Sequence, residues 1–172
     1  MTMRPGKVVG LDEVNPIRWG GEEAARFLLR GEDTGGLYSF YEVTVPAGEG
    51  SLLHTHEDTD EAFYVIEGRF EIKLDGDTHK APAGVLVYGP RGVSHSFVNT
   101  WDRPSKMLCT TTPGGIEKFF EELSQLLTEE PPPGWDRIQE LGRRHRIVAF
   151  PPQGSPAGML PGADSSHFKG TD

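Results

Sequence analysis

The feature that most limits how this chain can fold is a succession of short apolar segments separated by glycine, proline and Asp-Gly turns between residues 37 and 112. Apolar residues in this stretch do not recur at helical spacing, and Phe70, Ile72 and Leu74 alternate with charged residues, as in a half-buried strand. The 22 glycines and 14 prolines supply the turns that such a pattern requires. Strands spaced about 8–12 residues apart are typical of a sandwich or a barrel, so we predict an all-β fold.

Apolar, aromatic and β-branched residues mark the individual strands. The predicted strands span residues 8–9, 26–29, 37–45, 62–66, 70–74, 85–88, 95–99, 106–112 and 147–150. Two turns are predicted as hairpins: Glu67-Gly68-Arg69, which would join the fourth strand to the fifth, and Asp75-Gly76, which ends the fifth.

The pattern changes after residue 112. Apolar residues between 116 and 127 recur at helical spacing with acidic residues on the opposite face, and the prolines at 131–133 end this helix. A second helix is predicted over residues 135–145. We therefore divide the chain into strands and barrel (1–112), a helical segment packed on the barrel (113–150) and a Pro/Gly/Ser-rich tail (151–172).

Composition excludes several classes of partner. The net charge is -9 and no Lys/Arg run is long enough to follow a phosphate backbone, so we expect no nucleic acid. No segment approaches the roughly 18 apolar residues of a membrane span, and residues 1–10 lack the apolar run of a signal peptide. Cys109 is the only cysteine, which excludes an intramolecular disulfide. A cytoplasmic location is the expectation that follows.

Three histidines and one glutamate form the strongest chemical signal. His54 and His56 are two residues apart, a spacing that places both side chains on the same face of a strand. Glu61 begins the next apolar segment, and His95 follows a Pro-Gly turn. Three imidazoles and a carboxylate suit one divalent transition metal ion such as Fe, Ni, Co, Mn, Zn or Cu. Asp60 is an alternative to Glu61 as the carboxylate ligand.

The surroundings of these residues form two sets with regular spacing. In the first set the gaps are five, one, four and six residues, and in the second they are five, one, two and three. The first set is Gly48, His54, His56, Glu61 and Gly68, and the second is Gly84, Pro90, Gly92, His95 and Asn99. Both sets resemble the two sequence motifs of the cupin superfamily at every position, and the resemblance covers residues 37–112.

The resemblance implies a double-stranded β-helix, or jelly-roll, barrel of two antiparallel sheets with short C-terminal helices. It also implies that the metal lies inside the barrel, held by His54, His56, Glu61 and His95. The helix after residue 112 is similar to the C-terminal part of small, single-domain quercetin dioxygenase-like cupins. Cupins of this size commonly form homodimers through their sheets, so a homodimer is expected.

The same resemblance leads to a functional hypothesis. A metal-dependent dioxygenase would act on a small aromatic, flavonol-like or polyketide-like substrate, with Glu61 as the general base. One alternative is a metal-dependent isomerase, cyclase or lyase, in which the metal is a Lewis acid and Glu61 or a nearby tyrosine is the base. The other is a non-catalytic protein that binds a metal or a small ligand. Fold alone does not choose among them.

Residues outside the ligand set receive structural interpretations. Phe63, Val65 and Phe97 are predicted to face inward as core or pocket wall, and Asn99 to form backbone or outer-sphere hydrogen bonds. Cys109 is predicted to be a small buried hydrophobe. Tyr38, Phe40 and Tyr41 could line a substrate pocket. Because successive residues of a strand point to opposite faces, some of the three must point away from it. The remaining histidines are expected to be exposed: His79, His145 and His167.

Overall fold

The structure is a computed structural model, and it describes residues 5–19 and 24–151. Almost all of the predicted tail, with His167, lies outside the described residues. The strands are β1 (Ile17–Arg18), β2 (Ala24–Leu29), β3 (Ser39–Val45), β4 (His54–His56), β5 (Asp60–Glu67), β6 (Arg69–Leu74), β7 (Asp77–Pro82), β8 (Leu86–Gly89), β9 (His95–Asn99), β10 (Ser105–Thr112) and β11 (Ile147–Ala149). The helices are α1 (Gly31–Thr34), α2 (Glu117–Leu126) and α3 (Trp135–Arg144).

Two antiparallel sheets form the barrel, which confirms the predicted all-β cupin fold. The first sheet has the strand order β1-β2-β3-β10-β5-β8, and the second has the order β11-β4-β9-β6-β7. The inner faces of both sheets contribute to one apolar core, in which Tyr41, Phe70, Ile72 and Met107 are almost completely buried. Full burial of one such side chain contributes about 1.5–3 kcal/mol, so the alternation of inward and outward residues stabilises the two-sheet arrangement.

The turn at Gly68 differs from its prediction. β5 and β6 do not pair with each other, because Gly68 carries the chain from the first sheet to the second. Its φ of 82° favours glycine, and a Cβ atom there would lie 2.0 Å from Oγ of Ser105. Local composition indicates a tight turn correctly, but it does not encode whether the flanking strands pair with each other. The Asp75-Gly76 hairpin is confirmed between β6 and β7, with positive φ at both residues.

Other differences lie in polar or short segments. Residues 8–9 do not form the predicted strand, and α1, β1, β4 and β7 were not among the predicted elements. β7 contains Thr78, His79 and Lys80, which are exposed and carry no apolar alternation. It forms because its backbone pairs with β6 at the edge of the second sheet, which is a tertiary rather than a local cause.

The C-terminal segment packs on the barrel near the ligand strand. Phe120 of α2 lies 4.5 Å from Trp19 and 5.9 Å from Phe27 between ring centroids. β11 pairs with β4, so that Ile147 lies opposite His56 and Ala149 opposite His54. The last described strand therefore supports the backbone that carries two of the predicted ligands. No helix in the described parts of the chain is both long enough and apolar enough to cross a membrane.

Candidate metal centre

The four predicted ligands come from three strands and meet inside the barrel. His54 and His56 lie on β4, Glu61 is the second residue of β5, and His95 begins β9 directly opposite His54. One side-chain nitrogen or oxygen from each residue lies within 4.8 Å of the corresponding atoms of the others. His56, Glu61 and His95 are buried, whereas His54 is half-buried. The structure thus brings together all four residues singled out in the sequence.

Two backbone carbonyls orient the imidazoles. Nδ1 of His54 is 2.8 Å from the carbonyl oxygen of Leu52, and Nδ1 of His95 is 3.1 Å from that of Val93. Since a carbonyl only accepts hydrogen bonds, Nδ1 carries the hydrogen in both rings. In the neutral form of each ring, the Nε2 lone pair is then free for a metal ion.

Glu61 presents its two carboxylate oxygens to different neighbours. Oε2 is 3.2 Å from Nε2 of His56 and 3.3 Å from Nε2 of His95. The Tyr41 hydroxyl donates a 2.6 Å hydrogen bond to Oε1. Burial by itself raises the pKa of Glu61, but the two imidazoles outweigh it and hold the pKa below its usual value. The carboxylate is therefore ionised.

The imidazoles are suited to coordination. Burial, followed by the proximity of His95 and His56, lowers the pKa of His54 to about 3, so this ring is neutral at physiological pH. Nε2 of His56 is buried; it lies 3.2 Å from Oε2 of Glu61 but forms no hydrogen bond with it or with any other described residue. Burial lowers the pKa of His95, but the Glu61 carboxylate raises it more, and the net shift is upward.

This donor set fits a divalent transition metal ion. Lone pairs on imidazole nitrogens that face a carboxylate repel it unless a positive charge, either a proton or a metal ion, lies between them. Three imidazoles with one carboxylate make a mixed nitrogen and oxygen site. Burying Nε2 of His56 without a hydrogen bond costs free energy, and a metal ion bound to this atom would offset that cost. The cluster therefore suggests a metal ion without identifying which one.

Supporting residues fix the geometry around the ligands. Gly89 lies opposite Glu61 in the β5–β8 pair, and a Cβ atom there would be 3.2 Å from Nδ1 of His95.

Asp60 forms two side-chain hydrogen bonds of 2.9 Å with the guanidinium of Arg91. The Asp60 carboxylate is therefore engaged outside the cluster, and the alternative that replaced Glu61 with Asp60 is not supported.

Asn99 has the structural role predicted for it. Its Nδ2 group donates to the carbonyl oxygens of Val45, Pro46 and Arg103, and its Oδ1 accepts from Ser105 and from the Trp101 backbone. These bonds tie the end of β9 to the neighbouring loops.

Other sequence-based expectations can be compared with the structure. Phe63, Val65 and Cys109 are buried in the core, and Phe97 is half-buried with its ring 6.0 Å from that of Phe63. His79 is exposed as predicted. His145 was predicted to be exposed but is half-buried, because the packing of α2 and α3 places its Nε2 2.9 Å from the Glu122 carboxylate.

Two polar residues lie near Glu61: Tyr41, which the sequence indicated only as one of three residues that could line a pocket, and Thr111, which it did not single out. Tyr41 on β3 is buried, whereas Tyr38, which precedes β3, is exposed. Only the strand order β3-β10-β5 places Tyr41 within reach of Glu61. Thr111 on β10 lies opposite Glu61, and its buried hydroxyl has no hydrogen-bond partner among the described residues. No local signal distinguishes either residue from other strand positions.

Comparison with known proteins agrees with this architecture. A cupin domain model matches residues 41–111. Polyketide synthase CurC from Streptomyces cyaneus is 33% identical over 114 residues, which cover 64% of this chain and 71% of the relative. Quercetin 2,3-dioxygenase from Bacillus subtilis is 27% identical over 100 residues, which cover 58% of this chain but only 29% of that enzyme.

A solved structure is similar over most of the described barrel. The polyketide cyclase RemF from Streptomyces resistomycificus superposes with a TM-score of 0.56 and 25% identity, and the match covers 63% of this chain and 80% of RemF. The two motifs, the paired antiparallel sheets and these similarities agree. The chain belongs to the cupin superfamily.

Proposed function

We propose that this cupin is a metal-dependent enzyme that acts on a small phenolic or enolic molecule of the polyketide type. The observation that carries the proposal is the convergence of His54, His56, Glu61 and His95, whose donor atoms lie within 4.8 Å of one another. These four residues would hold the metal ion. When bound, a divalent ion would lower the pKa of a substrate hydroxyl and stabilise the resulting anion.

The residues of the chain would perform the remaining tasks. The carbonyl oxygens of Leu52 and Val93 keep two imidazoles in the tautomer that ligation requires. The rings of Phe63 and Phe97 lie on the inner face of the barrel, and Phe63 is 5.7 Å from the His95 ring. Aromatic side chains beside a few polar groups would favour a flat aromatic or enolic ligand over a highly charged one.

Glu61 is the proposed general base. Its Oε2 faces the imidazoles, whereas its Oε1 accepts the Tyr41 hydrogen bond. A proton removed from the substrate would pass to Oε2 when that oxygen is released from the metal: the substrate O–H or C–H bond breaks, and an O–H bond forms on the carboxylate.

Ring closure without oxidation is the favoured reaction class. The carbon that loses its proton to Glu61 would attack a carbonyl carbon of the same molecule, and the new alkoxide would recover the proton, so no oxidant is consumed. The support for this class is the similarity to the polyketide cyclase RemF, because the match covers 80% of that protein. The similarity to the polyketide synthase CurC, 71% of which is covered, supports only a substrate of the polyketide type.

Dioxygenation is the second candidate, with O₂ as the named co-substrate. The similarity to quercetin 2,3-dioxygenase supports it, although the match covers only 29% of that enzyme. Both candidates begin with removal of a substrate proton by Glu61, from carbon in ring closure and from a hydroxyl in dioxygenation. They differ in whether oxygen is consumed.

Metal analysis is the first test. Protein purified without a metal-affinity tag would be analysed by elemental analysis as the wild type, as His54→Ala and as His79→Ala, a control that removes an exposed histidine outside the cluster. We expect about one Fe, Ni, Co, Mn or Zn per chain in the wild type and the control, and loss in His54→Ala. A wild type that binds none of these ions after incubation would refute the proposal.

Turnover in the presence and absence of O₂ separates the two reaction classes. The metal-loaded protein would be screened with flavonols, enediols and linear poly-β-ketones under air and under argon. Equal product under both gases, without oxygen uptake, would support ring closure. Product only under air, with stoichiometric uptake of O₂, would replace ring closure by dioxygenation.

A further inference from the structure

We infer that Tyr41 is a positioning residue: it holds Oε1 of Glu61 in a hydrogen bond, so that only Oε2 is available to a metal ion or a substrate. The inference rests on the proposed function, because it concerns how Glu61 serves the metal and the substrate. Its basis is the 2.6 Å hydrogen bond from the Tyr41 hydroxyl to Oε1. Both partners are inside the barrel, with 1% of Tyr41 and 6% of Glu61 exposed.

The Tyr41 ring is held rigidly. It stacks on Phe27 with a centroid distance of 4.5 Å and an interplanar angle of 26°, and the edge-on ring of Phe120 lies 6.1 Å away. Because protein interiors are close-packed, these contacts restrict the movement of the ring. The Tyr41 side chain, which extends from β3, therefore holds its hydroxyl in a fixed position.

Strand order explains why the Tyr41 side chain reaches Glu61. Tyr41 lies opposite Cys109 on β10, and Glu61 lies opposite Thr111 on the other side of β10. The long tyrosine side chain spans the intervening strand on the inner face. Within the described parts of the chain, the Thr111 hydroxyl makes no hydrogen bond, so it does not share this task.

The consequence is that the two carboxylate oxygens of Glu61 are inequivalent. Oε1 is occupied by a short hydrogen bond in a buried environment, where losing the bond would leave a polar atom unsatisfied. Oε2 faces the imidazoles of His56 and His95. Glu61 is thus predisposed to bind a metal ion through one oxygen, which leaves more coordination positions for a substrate than bidentate binding would.

Tyr41→Phe tests the inference, because it removes the hydroxyl and keeps the ring. We expect Co²⁺ affinity, measured by competition with a chelator, to fall about 10–100-fold, as is typical when the partner of a ligand is removed. With Oε1 released, bidentate binding becomes possible, so the visible d–d absorption of the Co²⁺ protein should weaken as the coordination number rises. The control is Tyr88→Phe, which removes the hydroxyl of an exposed tyrosine and should change neither quantity.

A double-mutant cycle separates positioning from general packing. If Tyr41 acts on the metal only through Glu61, then Tyr41→Phe should not alter Co²⁺ affinity in a Glu61→Ala background. An equal loss in both backgrounds would refute the inference, as would unchanged affinity and spectrum in the single variant.

X-ray absorption of the Co²⁺-loaded wild type provides a test that needs no variant. A carboxylate carbon at the longer, monodentate distance from the metal is expected, and a bidentate carboxylate would overturn the inference even if Tyr41→Phe did not fold. A wild type that binds no Co²⁺ would refute the proposed function together with this inference. A wild type that binds Co²⁺ through a bidentate Glu61 would refute the inference alone.

Discussion

The buried hydroxyl of Thr111 offers a stability test of the environment next to Glu61. Thr111 is completely buried on β10, directly opposite Glu61, and its Oγ1 has no hydrogen-bond partner within the described residues. An unsatisfied buried hydroxyl costs about 1–3 kcal/mol relative to an apolar group of the same shape. Valine has nearly the shape of threonine and favours strands equally. Thr111→Val should therefore stabilise the metal-free protein by about 1–3 kcal/mol.

The neighbouring residue supplies a matched control. Thr110 is half-buried, and its Oγ1 donates a 3.0 Å hydrogen bond to the carbonyl oxygen of Ser39. Thr110→Val loses this bond and should destabilise the protein by about 0.5–1.5 kcal/mol. The two substitutions are chemically identical and adjacent, yet they are expected to have opposite signs.

Urea denaturation of the metal-free protein would measure both changes. Thr111→Val should raise the transition midpoint without changing the m value, and each kcal/mol should raise Tm by about 2–4 °C for a domain of this size. The reasoning is refuted if Thr111→Val lowers the stability as Thr110→Val does. That result would mean that the hydroxyl of Thr111 has a partner in solution.

Three further predictions concern the ligand strand, pH and assembly. Ile147→Ala removes a buried side chain opposite His56 and should lower the free energy of unfolding by about 2–5 kcal/mol. It should also weaken metal binding, because β11 supports the strand that carries His54 and His56. Unchanged metal affinity in calorimetry would contradict this support of β4 by β11. The pKa of His54 is about 3 in the folded protein and 6.5 in an unfolded chain, so the unfolded chain binds more protons between these pH values. The stability of the metal-free protein should therefore fall as the pH is lowered from 6.5 to 3, by at most about 1.4 kcal/mol per unit, and His54→Gln should flatten this slope in urea titrations. The predicted homodimer would pair through the outer face of β5 and β8, where Tyr64 and Leu86 are 43% and 62% exposed. Leu86→Glu should therefore yield monomers in sedimentation experiments. A wild type that is already monomeric would contradict this prediction.

Much of the barrel could be predicted because its strands carry their own patterns. Phe70, Ile72 and Leu74 alternate with polar residues, and this period directly reflects one buried face. β7 carries no such pattern and forms only because β6 offers it a backbone to pair with. The turn at Gly68 was assigned correctly as a turn but incorrectly as a hairpin, because a glycine specifies local dihedral angles and not the partner of the next strand.

The candidate ligands could be proposed from the sequence because the residue types and their spacing resemble the two cupin motifs. His54 and His56 must share a strand face, and the two motif-like sets place Glu61 and His95 with them. The tertiary structure alone decided which groups surround these ligands. Tyr41 reaches Glu61 because β10 lies between their strands, a fact of sheet order that depends on the free energy of the whole barrel and has no local signature.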